Sequence, residues 1–282
     1  DYNIATVAKG LNHMDIYDRY IKQSEYWKNL WRADYENNGA KGFIMPKDAS
    51  GKWLDDVPFG ESKIQKPSFR FTPTITESPW YVCHWCVFFY EGTSWEYSLS
   101  VPHNLPEVVR RSGGDLAFKN RLDTFFDTKL YDVSNEPSFL APTMYHWIGK
   151  PYLSSDRIRG IIKENFNTFR AGLPGNDDSG AMSSWLAFHM MGLYPNAGQP
   201  YYLLNTPLIK ETSLQLEDGK SFKITTKNLS DKNKYVKSAL LNRKPFSQAW
   251  ILHEDIVKGG ELILEMDSKP SAWGTTVLPP TK

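Results

Sequence analysis

Several signals that would assign a function quickly are missing from this sequence. There are only two cysteines among 282 residues. They are Cys83 and Cys86, spaced as CHWC, which is half a zinc site with no second pair to complete it. A redox pair would need a strand–helix context that is not evident, so two buried thiols or a disulfide is the simpler reading. So few cysteines leave the compartment open. Neither GxGxxG nor GxxxxGK[ST] occurs, which removes the usual phosphate-binding loops. No apolar run approaches the ~18 residues of a membrane span. Lys plus Arg number 33 against 32 Asp plus Glu, and no basic cluster is dense enough for a nucleic-acid surface. There is no signal-peptide pattern, and the chain begins at Asp1 rather than Met. The expectation is a processed chain or a fragment.

What the chain has is aromatic surface. It carries 10 Trp, 15 Tyr and 15 Phe, or 14% of the residues. Rings fill cores, and they also stack on the flat apolar faces of sugars. The first use accounts for most of them. The second tilts the reading toward carbohydrate rather than nucleotide.

The hydrophobic period changes along the chain. Ile4, Val7, Ala8 and Leu11 fall at helical spacing, and a second helix carries Tyr17, Tyr20, Ile21, Trp27 and Leu30. Residues 36–74 are dense in turn formers and read as an extended loop region. Trp80–Val101 is apolar on nearly every face, as in a buried helix or one broken at Gly92. Asp115 is a candidate N-cap for a helix carrying Leu116, Leu122, Phe125 and Phe126. Further helices are expected over about 138–148, 155–168 and 180–191, the last stopped by Gly192 and Pro195. Beyond residue 200 the period becomes two. Leu214 and Leu216 alternate, Asp218-Gly219 turns the chain, and Phe222 and Ile224 return. "YVKSALLN" and "GGELILEM" add strands. The fold class is mainly α, with residues 1–200 helical and 201–282 an antiparallel β portion packed on them.

Three acidic spots stand out. Glu91, in "YEGTSWEY", follows a run of aromatic residues, and an apolar setting disfavours the charged carboxylate, as a general acid requires. The alternative is a Glu exposed at a helix end. Asn135 and Glu136, in "SNEPS", offer oxygen ligands suited to a hard cation such as calcium. They equally suit a helix start with Pro137 in its first turn. Asp177 and Asp178, in "LPGNDDSGAMSSW", can cap the helix that follows, or hold a cation or a water.

Read in order, "EGTSWEY…VPHN", "GGDLAFKNRLDTFFD", "NEPS", "LPGNDDSGAMSSWLAFHMMGLYP" and "HEDIVKGGELILEM" resemble the family-92 glycoside hydrolases. These are exo-acting, calcium-dependent α-mannosidases found widely in gut Bacteroides. The resemblance runs over most of residues 10–274. It implies part of an (α/α)6 toroid of helical hairpins followed by a small antiparallel sheet. An N-terminal β-sandwich and the earlier barrel helices of such enzymes are expected to be absent from this chain.

The resemblance also implies roles. Hydrolysis would invert configuration at a terminal α-linked mannose, α-1,2-like, of N-glycans or mannan. Glu91 matches the general acid and Asp178 the general base, with Asp177 the alternative base or a supporting acid. Trp95, Glu96 and His103 match substrate-binding positions. Asn135, Glu136 and Asp178 match the protein ligands of Ca2+. Such enzymes act in the periplasm, at the cell surface or after secretion. The sequence also departs from the usual wording. Phe139 and Leu140 stand where histidines are usual after "NEPS", Asn104 replaces Asp after "VPH", Glu96 replaces Gln before Tyr97, and Asn176 stands where several relatives carry Asp. An alternative of another class is a non-catalytic carbohydrate-binding chain or an inert fragment of such an enzyme.

Overall fold

The computed structural model describes residues 1–53 and 89–281. Cys83, Cys86 and the start of the Trp80–Val101 run lie outside the described residues, as does most of the loop-rich stretch after Trp53. Two helices open the chain as expected, α1 (Tyr2–Gly10) and α2 (Met14–Gln23), and they pack on each other. Of the expected apolar stripe only Ala8 is buried. Ala5 and Ala8 face inward, whereas Ile4, Val7 and Leu11 are 47%, 61% and 63% exposed. Small residues three apart let the helix approach its neighbour closely, and the larger side chains are turned away.

A hairpin follows where a loop was expected. β1 (Trp31–Asn37) pairs antiparallel with β2 (Ala40–Ile44). Its turn is Asn38-Gly39, both in the left-handed region with φ 47° and 78°, which a two-residue hairpin of this hand needs. Gly42 has φ 79°, and a Cβ there would lie 2.6 Å from the Trp31 ring. Only glycine lets that indole lie on β2.

Three helices complete this part: α3 (Ser94–Tyr97), α4 (Leu105–Arg111) and α5 (Asp115–Asp127). α3 begins just beyond Gly92. Asp115 is the first helical residue of α5, and Gly114 takes the cap position expected of it. The acid still favours the helix N-terminus. α5 buries Phe118, Arg121, Leu122 and Phe125, while Leu116 is 73% exposed.

The expected helix over 138–148 forms as two tight 3-10 pieces, Glu136–Ser138 and Ala141–Ile148, each with a proline in its first turn. Next come α6 (Pro151–Asn165) and α7 (Ala181–Met191). α7 ends at Gly192 in the left-handed region, with φ 82°.

The remaining strands build two sheets. β3 (Leu193–Pro195), β4 (Tyr201–Leu204) and β9 (Trp250–Leu252) pair in the order β3-β4-β9. β5 (Glu211–Gln215), β6 (Ser221–Lys227), β7 (Tyr235–Leu241), β8 (Lys244–Phe246) and β10 (Gly260–Asp267) pair in the order β5-β6-β10-β7-β8. The β5–β6 hairpin turns at Asp218-Gly219 as expected, with φ 58° and 70°. The sheet is not wholly antiparallel, because β10 runs parallel to β6. The short helix α8 (His253–Val257) lies between β9 and β10 and brings the chain back to insert β10 between β6 and β7. Phe222, Ile224, Val236, Leu262 and Leu264 form the centre of that core.

By contact the chain forms two compact units. One is Asp1–His103 with Glu107–Tyr131; the other is Asn104–Pro106 with Asp132–Lys282. The helical segments after Asp132 therefore pack with the strands, a division different from the change of element type near residue 200.

Candidate active site

Glu91 sits in a loop whose two sides are both tied to α3. The N-cap of α3 is Thr93, whose hydroxyl accepts from Trp95 N–H at 3.2 Å, while the Glu96 carboxylate accepts from Thr93 N–H. This is a capping box, satisfying donors at both ends of the first turn. On the other side, Tyr97 Oη donates to Tyr90 O at 2.6 Å. Glu91 and Gly92 lie between these two clamps. Glu91 is partly exposed and has φ 52°, a left-handed conformation that few non-glycine residues adopt. The Tyr97 hydroxyl is raised above its ordinary value, chiefly by burial, with the nearby charges of Glu96 and Glu91 adding to it.

Trp95, Glu96 and His103, the expected substrate-binding residues, are each engaged with other parts of the protein. Trp95 is wholly buried. Its ring stacks on Phe125 (centroids 5.9 Å, 4°) and meets Phe43 edge-on at 5.2 Å, and Nε1 donates to Asn37 Oδ1 at 2.9 Å. Glu96 is 5% exposed and its carboxylate is engaged in the cap. His103 stacks on Tyr2 at 5.1 Å, with Nε2 3.0 Å from Ser24 O. Burial lowers its pKa. Trp95 and Glu96 thus belong to the helix that fixes the Glu91 loop.

α3 is also bolted to β2. Ser94 Oγ donates to Ile44 O, and Ile44 N–H donates to Ser98 Oγ at 2.8 Å. Asn37, Ile44 and the two serines were not singled out in the sequence. The Ser-x-x-x-Ser spacing on one helix face was the available signal.

In the second unit two acidic loops meet. Asn135 is the N-cap residue of the Glu136–Ser138 turn, and both Asn135 and Glu136 are partly exposed. A Cβ on Gly175 would lie 2.4 Å from Ser134 O. The backbone of the "LPGNDD" loop therefore runs directly against the segment carrying Asn135 and Glu136, and only glycine permits that approach.

Within that loop the two acids separate. Asp177 Oδ1 accepts from Ser183 N–H and from Ser183 Oγ, each at 2.7 Å. Its backbone carbonyl accepts from Gly180 and Met182. Those Ser183 donors hold the Asp177 carboxyl below its ordinary range. Asp177 thus caps α7 from three residues upstream of the cap position. Asp178 is exposed, and no hydrogen bond or ion pair to its carboxylate occurs among the described residues. Its φ is 44°, and Ser179 and Gly180 follow at 60° and 92°. Three left-handed residues in succession reverse the chain and leave Asp178 outside the cap.

Phe139, where the family's wording has histidine, is buried against Trp185 at 6.1 Å, and Trp185 Nε1 donates to Phe139 O at 3.0 Å. Among the described residues no three His, Cys, Asp or Glu side chains cluster as a metal site. Asn135, Glu136 and Asp178 carry the oxygen donors that a hard cation takes. Among the described residues no helix is long and apolar enough to cross a membrane.

Comparison with known proteins fits this arrangement. The profile of the glycosyl hydrolase family 92 catalytic domain matches residues 1–268. An uncharacterized secreted glycosidase of Arthroderma benhamiae is 35% identical over 98% of this chain, which spans 35% of that protein. An inverting family-92 mannosidase of Bacteroides thetaiotaomicron superposes with a TM-score of 0.83 at 28% identity, over 100% of this chain and 38% of that one. A family-92 α-mannosidase of the same organism, solved with mannoimidazole, gives 0.81 at 25% identity, over 98% and 36%. The chain spans little more than a third of each relative's length. With the family profile covering nearly all of it, the chain belongs to glycosyl hydrolase family 92.

Proposed function

We propose that this chain carries the acid and base of an inverting, calcium-assisted α-mannosidase that removes terminal α-linked mannose, α-1,2-like, from N-glycans or mannan. The observation that carries the reading is the unequal use of the two adjacent aspartates. Asp177 is bonded to Ser183, while Asp178 keeps an exposed carboxylate in the loop whose Gly175 runs against Ser134. In an inverting glycosidase one carboxylic acid protonates the departing oxygen, and a carboxylate removes a proton from water attacking the opposite face. Glu91 is the acid. Asp178 is the base, and Asp177 keeps its loop in register with α7.

Asn135, Glu136 and Asp178 would hold the cation. When bound it would engage the sugar hydroxyls and favour ring distortion toward the transition state. The secreted relative supports a periplasmic, cell-surface or secreted location.

The test is hydrolysis of α-1,2-mannobiose by the intact protein, followed by NMR of the first-formed anomer, with and without chelator. β-Mannose as first product and loss of rate on chelation are expected. α-Mannose first would overturn inversion, and activity untouched by chelator would overturn the cation. Glycan binding without turnover would favour the binding reading over the enzyme.

A further inference from the structure

Arg121 has no place in the chemistry above, yet its burial is costly. It lies on α5, 1% exposed. Its guanidinium sits 4.3 Å from the Phe43 ring centroid, 5.4 Å from Trp95 and 5.7 Å from Trp31. Nη1 donates to Gly42 O at 2.6 Å and to Lys41 O at 3.3 Å. Nε and Nη2 have no acceptor among the described residues. Burial lowers its pKa to about 9. A hydrophobic side chain of similar length would fill this space without the desolvation penalty.

We infer that Arg121 is a positioning residue for the general acid, acting through Trp95. The contacts form a continuous chain. Arg121, Phe43 and Phe125 enclose the Trp95 ring, and Asn37 fixes its Nε1. That ring anchors α3. α3 in turn clamps both sides of Glu91, through Thr93 and Glu96 on one flank and Tyr97 with Tyr90 on the other. The guanidinium is flat, stacks on rings and donates in a fixed fork, so lysine cannot replace it here. Gly42 belongs to the same device, because the carbonyl that holds Arg121 comes from the residue whose missing Cβ admits Trp31.

The inference rests on Glu91 being the acid, and the two claims are separable by leaving group. A departing alkoxide needs a proton; a fluoride or dinitrophenolate leaves with little help. In the intact protein, Arg121→Met should lower kcat on α-1,2-mannobiose by roughly 10- to 100-fold. It should hold kcat on 2,4-dinitrophenyl α-mannoside within about threefold and leave KM for both little changed. Glu91→Gln should show the same selectivity, more strongly. Asn37→Ala, which removes only the Nε1 acceptor, should show it more weakly, and it decides the question if Arg121→Met does not fold. Equal losses on both substrates for a folded Arg121→Met, or for Asn37→Ala, would overturn the positioning role. A Glu91→Gln enzyme that loses neither activity would overturn the acid assignment itself.

Discussion

Asp177 and Asp178 are neighbours in sequence, but only the Asp177 carboxylate is bonded to Ser183. Asparagine at 178 keeps the size and tolerates the left-handed backbone, so it tests the charge alone. Asp178→Asn should cost 10²- to 10⁴-fold in kcat, the usual range for removing a base. Asp177→Asn should leave kcat within roughly tenfold and lower Tm instead, through the weakened α7 cap. Its pH dependence has a definite sign. The folded carboxyl titrates below its ordinary value of 3.8. Its contribution is therefore present above that value and is lost as pH falls through the folded pKa. A cap role was legible in "NDDSGAMSSW". That the bonds go to Ser183, six residues on, was not, because it depends on the Asp178–Gly180 reversal.

Among the elements, those with local signals were legible. The β5–β6 hairpin and the Gly192 stop of α7 follow from Asp-Gly and from a left-handed glycine. The β1–β2 hairpin carried the same kind of signal, Asn38-Gly39, but its strands alternate poorly and read as loop. The solvent-facing stripe on α1 and the parallel β6–β10 pairing are set by distant partners, which no local window contains. The meeting of the two acidic loops is of that second kind as well. Gly175→Ala should push the "LPGNDD" loop off Ser134. A displacement of about 1 Å at a catalytic group can cost 10²-fold, so we expect a large fall in kcat with Tm little changed. Thr93→Ala, which removes the α3 cap, should destabilise by about 1 kcal/mol. Thermal melts and rates measured on the same samples check both.

For the molecule as a whole, buried histidines set the response to acid. His146 is 1% exposed, with Nδ1 2.7 Å from Thr143 O and Nε2 2.9 Å from Leu204 O. His189 is fully buried, stacked on Tyr194 at 4.6 Å, and its Nε2 has no hydrogen bond among the described residues. Burial lowers both, His189 to about 3. Each binds a proton more readily unfolded than folded. Stability is therefore complete above the unfolded value of 6.5 and declines as pH falls from there toward the folded values. Tm should drop steadily between about pH 6.5 and 4. His189→Leu should flatten part of that decline; an unchanged slope would remove His189 from it.

With Glu91 in its proposed role, the left-handed backbone there sets activity against stability at one position. A side chain held at positive φ costs about 1–2 kcal/mol, which glycine would recover. Glu91→Gly should therefore melt higher than the parent while cleaving nothing that needs a proton on its leaving group. On the proposed role of Glu91, selection for thermostability alone would drift toward an inactive variant, so directed evolution would have to screen turnover in every round.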